Sequence, residues 1–177
     1  MLYTKKDVGR NKASVAKEVL KRINQNIDVK IFKKKVDQNN IKKIAEEYQI
    51  ICDGTDNFKT RFLVNDYCLK NKKILVTSAI SKFDGQLFKF DFRKKTPCFR
   101  CFVPKAPNAE LNCETDGIMT TLAGIAGSLQ ANEVIKSILN IKNNLNGNIM
   151  IFNSLSSEFR KVKLLKDPKC KNNHLHG

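Results

Sequence analysis

The stretch QIICDGTDNFKTR, residues 49–61, decides the fold. Ile50, Ile51 and Cys52 run straight into Asp53, Gly54, Thr55, Asp56 and Asn57. A short apolar run that stops at turn formers and carboxylates reads as a buried strand of an α/β sheet, ending at the edge where such sheets bind ligands. Gly54 allows a tight turn or a close backbone approach. Thr55, Asp56 or Asn57 can cap the helix that follows, and a helix N-terminus attracts anions. A carboxylate near bound phosphates calls for Mg2+ between them, because bare anions repel. Arg61, one turn further, can neutralise a phosphate. On spacing alone, Asp56 as a plain N-cap is the simpler reading, since N-caps are common.

Working outward, the elements alternate. Upstream, Val15, Val19, Leu20 and Ile23 share one helical stripe, with Ala13 and Ala16 beside it. IDVKIFK alternates Ile27, Val29 and Ile31 in strand fashion, and NNIKKIAEEYQ is a short amphipathic helix. Downstream, FKTRFLVNDYCLKNK is expected as a helix with Phe58, Phe62, Leu63 and Cys68 inward, followed by a buried strand, KILVTSAI. This order implies parallel strands covered by helices. After Ile80 the pattern shifts to an antiparallel strand, GQLFKFDF, and an irregular region around PCFRC. A long helical stretch from Gly117 follows, then two strands, NIMIFN and FRKVKLL. Gly124 and Gly127 weaken that helix in isolation, so close packing on the sheet or on another subunit is expected. The fold class is α/β, a Rossmann-like sheet with helices on both faces and mixed parallel and antiparallel strands. Residues 1–177 read as one domain.

The chain has 177 residues, 41% of them hydrophobic, which suffices for a core. No apolar run reaches membrane-spanning length, and MLYTKKDVGRNK lacks the apolar core of a secretory signal, so a cytoplasmic protein is expected. The net charge of +16 invites nucleic-acid binding, but the lysines are scattered and no aromatic-interleaved stacking motif accompanies them. Nucleic-acid binding is therefore the lesser reading. A nucleotide or an acidic protein partner suits the charge equally well. Of six cysteines, Cys98 and Cys101 form a C-x-x-C, which in a reducing compartment suggests metal or redox chemistry.

DGTDNFKTRFLVNDYC resembles the D-x-T-D-N-x-x-x-R-x-x-x-N motif of the MoeB/ThiF/HesA family, bacterial relatives of ubiquitin-activating enzymes. LYTKKDVGRNKA, TSAISKFDGQLFKF, PCFRC and CETDGIMTTLAGIAGSLQANEVIK resemble further family segments in the same order. The resemblance implies ATP-dependent adenylylation of the C-terminal glycine of a ubiquitin-like sulfur-carrier protein, by a homodimer using Mg2+ and Zn2+. It makes Asp56 the metal-holding carboxylate, Lys12 a phosphate contact, Asn57 a shaper of the turn and Arg61 a weaker phosphate candidate. It also offers Cys113 as a reactive cysteine in sulfur transfer. Glu114 and Asp116 beside Cys113 raise a thiol pKa, so a structural cysteine stands as the alternative.

The same resemblance makes Cys98 and Cys101 half of a structural zinc site. The second half should fall in DPKCKNNHLHG, where Cys170 is present but Asn173 stands at the second cysteine position. A three-thiolate, one-imidazole set, with Cys170 and His174, is chemically consistent with zinc, and a degraded site is the alternative. A further departure lies at the start. Family members carry a preceding nucleotide-binding half with a G-x-G-x-x-G turn, and none of the eight glycines here forms that fingerprint. These residues by themselves are therefore expected to bind ATP weakly and to adenylate nothing. A non-catalytic carrier-binding module is the alternative function.

Overall fold

A computed structural model describes residues 2–106 and 117–175. The chain divides into two units, Met1–Asp37 and Gln38–Gly177. In the first, a 3-10 turn, Lys5–Asp7, precedes helix α1, Lys12–Ile23. The Asp7 carboxylate accepts from the Thr4 amide and hydroxyl, both at 2.8 Å, and so closes the start of the turn. Asn11 caps α1 by accepting from the Ser14 amide at 3.2 Å. The strand expected over residues 27–31 does not form, because the segment joins no ladder among the described residues. An alternating run becomes a strand only beside a neighbour that takes up its N–H and C=O groups.

The second unit runs through α2 (Ile41–Ala45), β1 (Ile50–Asp53), α3 (Phe58–Lys70), β2 (Ile74–Ser81) and β3 (Asp84–Asp91). It continues with α4 (Phe99–Phe102), α5 (Thr120–Ile138), β4 (Asn148–Asn153), β5 (Glu158–Lys163) and a 3-10 turn, Asn173–Leu175. The five strands lie in sequence order. β1 and β2 pair in parallel, joined by α3 as the crossover that a parallel pair needs, and the remaining pairs are antiparallel.

Period-two alternation divides the sheet between its two faces. Leu75 and Thr77 of β2 pair with Phe90 and Phe88 of β3. The Phe88 ring meets Phe99 and Phe102 of α4 at centroid separations of 5.5 and 5.2 Å. On the other face Ile74, Val76 and Leu87 pack with Leu145 and with Leu129 and Val134 of α5. This two-sided cover explains why KILVTSAI is apolar throughout. Further along, Leu122 and Ala126 of α5 pack on Phe152. The Phe152 ring lies over Gly85, where an added Cβ would come within 2.0 Å of it, so that strand position excludes any side chain.

α3 is turned differently from the hydrophobic reading. Its buried residues are Thr60, Arg61, Val64, Asn65, Cys68 and Leu69, a helical stripe that is half polar. Phe58 and Phe62 are half-buried at its side, and Phe62 packs on Phe99 at 5.8 Å. Arg61 and Asn65 go inward because each finds partners there, described below. Among the described residues no helix is long and apolar enough to cross a membrane.

Candidate functional site

The turn after β1 is built on Asp53, which is 3% exposed. One carboxylate oxygen accepts from the Thr55 amide at 2.9 Å and the Thr55 hydroxyl at 2.7 Å. The other accepts from the Thr77 hydroxyl of β2 at 2.7 Å. Arg61, 5% exposed, lies behind this carboxylate. Its Nη1 is 3.6 Å from Asp53 and donates to Thr77 Oγ1 at 2.7 Å. Its Nη2 donates to the Thr55 carbonyl at 2.5 Å and the Ser78 carbonyl at 2.9 Å, and the cation stands 5.6 Å from the Phe99 ring centroid. Burial lowers the Arg61 pKa, while the charges of Asp53 and then Asp56 oppose that shift. Gln130 of α5 closes the other side, its amide donating to the carbonyls of Asp53 at 3.0 Å and Val76 at 2.9 Å.

The helix cap is Asn57, whose side chain accepts from the Thr60 amide at 2.9 Å. Asp56 is thus not the N-cap. It stands exposed at the tip of the turn, with the Asn57 side-chain amide donating to it at 3.1 Å. Asp53, Asp56, Asn57 and Arg61 therefore meet at one strand end. Within this group Arg61 is buried behind the turn, with both terminal nitrogens donating to protein acceptors. Lys12 is exposed at the first turn of α1, in the other unit. Cys113 lies outside the described residues.

The Arg61 network is expected to carry stability. Arg61→Met should lower the unfolding free energy by about 3 kcal/mol, since it leaves the Asp53 carboxylate buried without its cation. Urea denaturation of the 177-residue chain measures this, and an unchanged midpoint would refute it.

The second constellation joins the C-x-x-C to the C-terminal arm. Cys98, Cys101 and Cys170 place their sulfur atoms within 4.8 Å of one another, and Cys98 and Cys170 are buried. The Cys98 and Cys170 sulfurs are 3.8 Å apart. A disulfide needs about 2.05 Å, whereas two thiolates on one tetrahedral zinc, at about 2.3 Å each, stand about 3.8 Å apart. The donor set and this spacing fit a thiophilic metal. The hydrogen bond with Cys98 draws the Cys101 thiol down to about 4, against burial. The same bond, with burial, pushes Cys98 up. The side chain of His174 lies outside the described residues. Its backbone belongs to the 3-10 turn after Cys170, where the Asn173 amide donates to the Cys170 carbonyl at 2.9 Å.

Sequence reasoning missed three groups. Gln130 lies in the CETDGIMTTLAGIAGSLQANEVIK segment that carries the family resemblance, though no role was attached to it, and Thr77 carries no recognisable signal, because its partners come from distant elements. The buried pair of Lys89 and Glu133, 3.7 Å apart, does carry one. In LFKFDF, Lys89 alternates with Phe88 and Phe90 and so faces α5 together with Leu87, an inward lysine that demands an acid. Glu133 also accepts from Lys136 at 2.9 Å and from the Leu145 amide at 3.0 Å.

The ThiF family model matches residues 1–172. The chain is 38% identical over 168 residues to a probable molybdopterin-synthase adenylyltransferase of Pyropia yezoensis, covering 93% of this chain and 44% of that protein. It is 36% identical over 176 residues to the sulfur carrier protein adenylyltransferase of Thermus thermophilus, covering 96% of this chain and 65% of that protein. Among solved structures, E. coli MccB with ATP shares the fold at a TM-score of 0.82 and 20% identity, covering 98% of this chain and 54% of that one. The chain thus spans less than half of the Pyropia relative and about two thirds of the Thermus one.

Proposed function

The chain belongs to the ThiF family, and from that premise we propose that residues 1–177 form a single activating domain, serving ATP-dependent adenylylation of the C-terminal glycine of a ubiquitin-like sulfur carrier. The observation that carries this reading is Asp56. It is exposed at the carboxyl end of the parallel pair, on a turn fixed from behind by Asp53, Thr77 and Arg61, and capping falls to Asn57. An exposed carboxylate there is the hard oxygen donor that Mg2+ takes. Bound with ATP, Mg2+ would supply charge neutralisation at the phosphates. In this reading the chain's own groups act as follows: Asp56 holds the ion, Asn57 sets the helix start beneath it, and Lys12 offers a cation to phosphate. Cys113 is the candidate thiol for sulfur transfer.

Zinc at Cys98, Cys101 and Cys170, with His174 as fourth ligand, is the metal we propose for the second constellation. Its chemistry would be structural, tying α4 to the C-terminal arm. The five described cysteines are all unbridged, which suits a cytoplasmic protein. The open space beside Gly124 and Gly127, with Ile135 and Ile138 exposed further along α5, suits a second copy of the chain and hence a homodimer.

The test is carrier-dependent exchange of pyrophosphate into ATP. It is measured on the 177-residue chain, alone and supplemented with the part of the Thermus relative that the match leaves uncovered. Exchange that appears with the supplement and disappears when the carrier loses its terminal glycine is the expected result. Carrier binding without exchange under both conditions would favour the second reading, a binding module, which the lack of any G-x-G-x-x-G among these residues supports. Absence of both binding and exchange would defeat the two readings together.

A further inference from the structure

We propose that Asp66 is the positioning residue of the cysteine cluster. Its one carboxylate, on α3, clasps both chain segments that bring the sulfurs together. Arg100 stands between Cys98 and Cys101. It donates from Nε to Asp66 Oδ1 at 2.8 Å and from Nη2 to Oδ2 at 2.8 Å, a two-pronged fork that fixes its plane. Asn172, two residues beyond Cys170 and 5% exposed, donates from Nδ2 to Asp66 Oδ1 at 2.6 Å. Neighbouring Asn65 completes the grip. Its amide donates to Asp66 at 3.0 Å, and its carbonyl accepts from the Phe99 amide at 2.9 Å. The Arg100 cation is further held 4.2 Å from the Phe62 ring centroid.

The physical need for such a clasp is plain. The cluster joins sulfurs from residues 72 positions apart, and each arm must be ordered before they converge. α3 is buried along one face, so a carboxylate on it gives both arms a common reference. Asp66 belongs to no ligand set here and acts through Arg100 and Asn172. Groups of this kind hold ligands ready for a metal, and their loss costs about 10- to 100-fold in affinity.

The inference rests in part on the metal reading, and the experiment separates the two. Wild-type chain, Asp66→Asn and Asn172→Ala are titrated with zinc against a chromophoric chelator, then loaded with Co2+ and followed through the thiolate charge-transfer band. Hydrogen exchange is recorded over residues 98–102 and 167–175. Asp66→Asn should bind zinc about 10- to 100-fold more weakly, broaden the Co2+ spectrum and speed exchange in both segments. Asn172→Ala should speed exchange in the second segment alone. Should Asp66→Asn fail to fold by circular dichroism, Asn172→Ala carries the test with the same readouts. A wild type that takes up neither metal defeats the metal reading. The clasp then stands or falls on exchange: faster exchange in the variant upholds it. Unchanged affinity and exchange in a folded variant overturn it.

Discussion

In the supplemented system, replacing Asp56 by alanine should reduce carrier-dependent pyrophosphate exchange by about a hundredfold or more, because it removes the carboxylate proposed to hold the Mg2+ that neutralises phosphate charge. The unfolding midpoint should stay put. Asp56 is exposed, and its bond with the Asn57 side chain leaves the cap itself intact, since Asn57 accepts from Thr60 through a different atom. Asp56→Asn separates charge from shape, as it keeps an acceptor for Asn57 and removes the negative charge. It should lose nearly as much exchange as the alanine variant. Raising Mg2+ should recover part of the loss if the carboxylate holds the ion. Exchange within a few-fold of wild type in folded Asp56→Ala would remove Asp56 from the chemistry, and would leave the turn as a structural feature.

Cys98→Ser should abolish stoichiometric zinc and destabilise the protein strongly. Cys98 is fully buried, shares a hydrogen bond with Cys101 and lies 3.8 Å from the Cys170 sulfur. A structural metal contributes its binding free energy to folding. Losing even about 5 kcal/mol of it would lower Tm by about 10–20 °C in a chain of this size. Chelation of the wild type should mimic the substitution, and the Cys98→Ser variant should be insensitive to the chelator. Metal analysis of gently purified wild type that finds no zinc would refute the site. So would a Cys98→Ser protein that retains one ion per chain. Asp66→Asn is expected to fall between these extremes, weakening the ion without deleting a ligand.

These effects differ in how far the sequence foretells them. The strand-end carboxylates were legible because QIICDG changes from apolar to turn-forming within a few residues, a local signal that needs no partner. KILVTSAI was legible as a buried strand for the same reason, and the C-x-x-C spacing pointed to metal or redox chemistry. The identity of the cap was not legible, since Thr55, Asp56 and Asn57 all suit the position. Only the backbone path, which points Asn57 at the Thr60 amide, chose among them.

The sequence by itself determined where the five strands and the longer helices of the second unit run, because hydrophobic periodicity is a property of neighbouring residues, whereas the single turn of α4, in a stretch read as irregular, is too short to carry a period. Tertiary structure decided which polar groups go inside. Arg61 is a surface residue by composition, and it is buried because Thr77, 16 residues on, and the Ser78 carbonyl supply acceptors. Gln130 acquires its role from a carbonyl 77 positions away, and Cys170, a candidate ligand by resemblance, meets Cys98 only in the folded chain. Residues 27–31 show the converse, an alternating pattern left without a ladder. A periodic pattern fixes a preference for one face, but burial of a polar group depends on a partner that desolvation makes obligatory. Such partners come from elements far away in the chain, and only the folded arrangement supplies them.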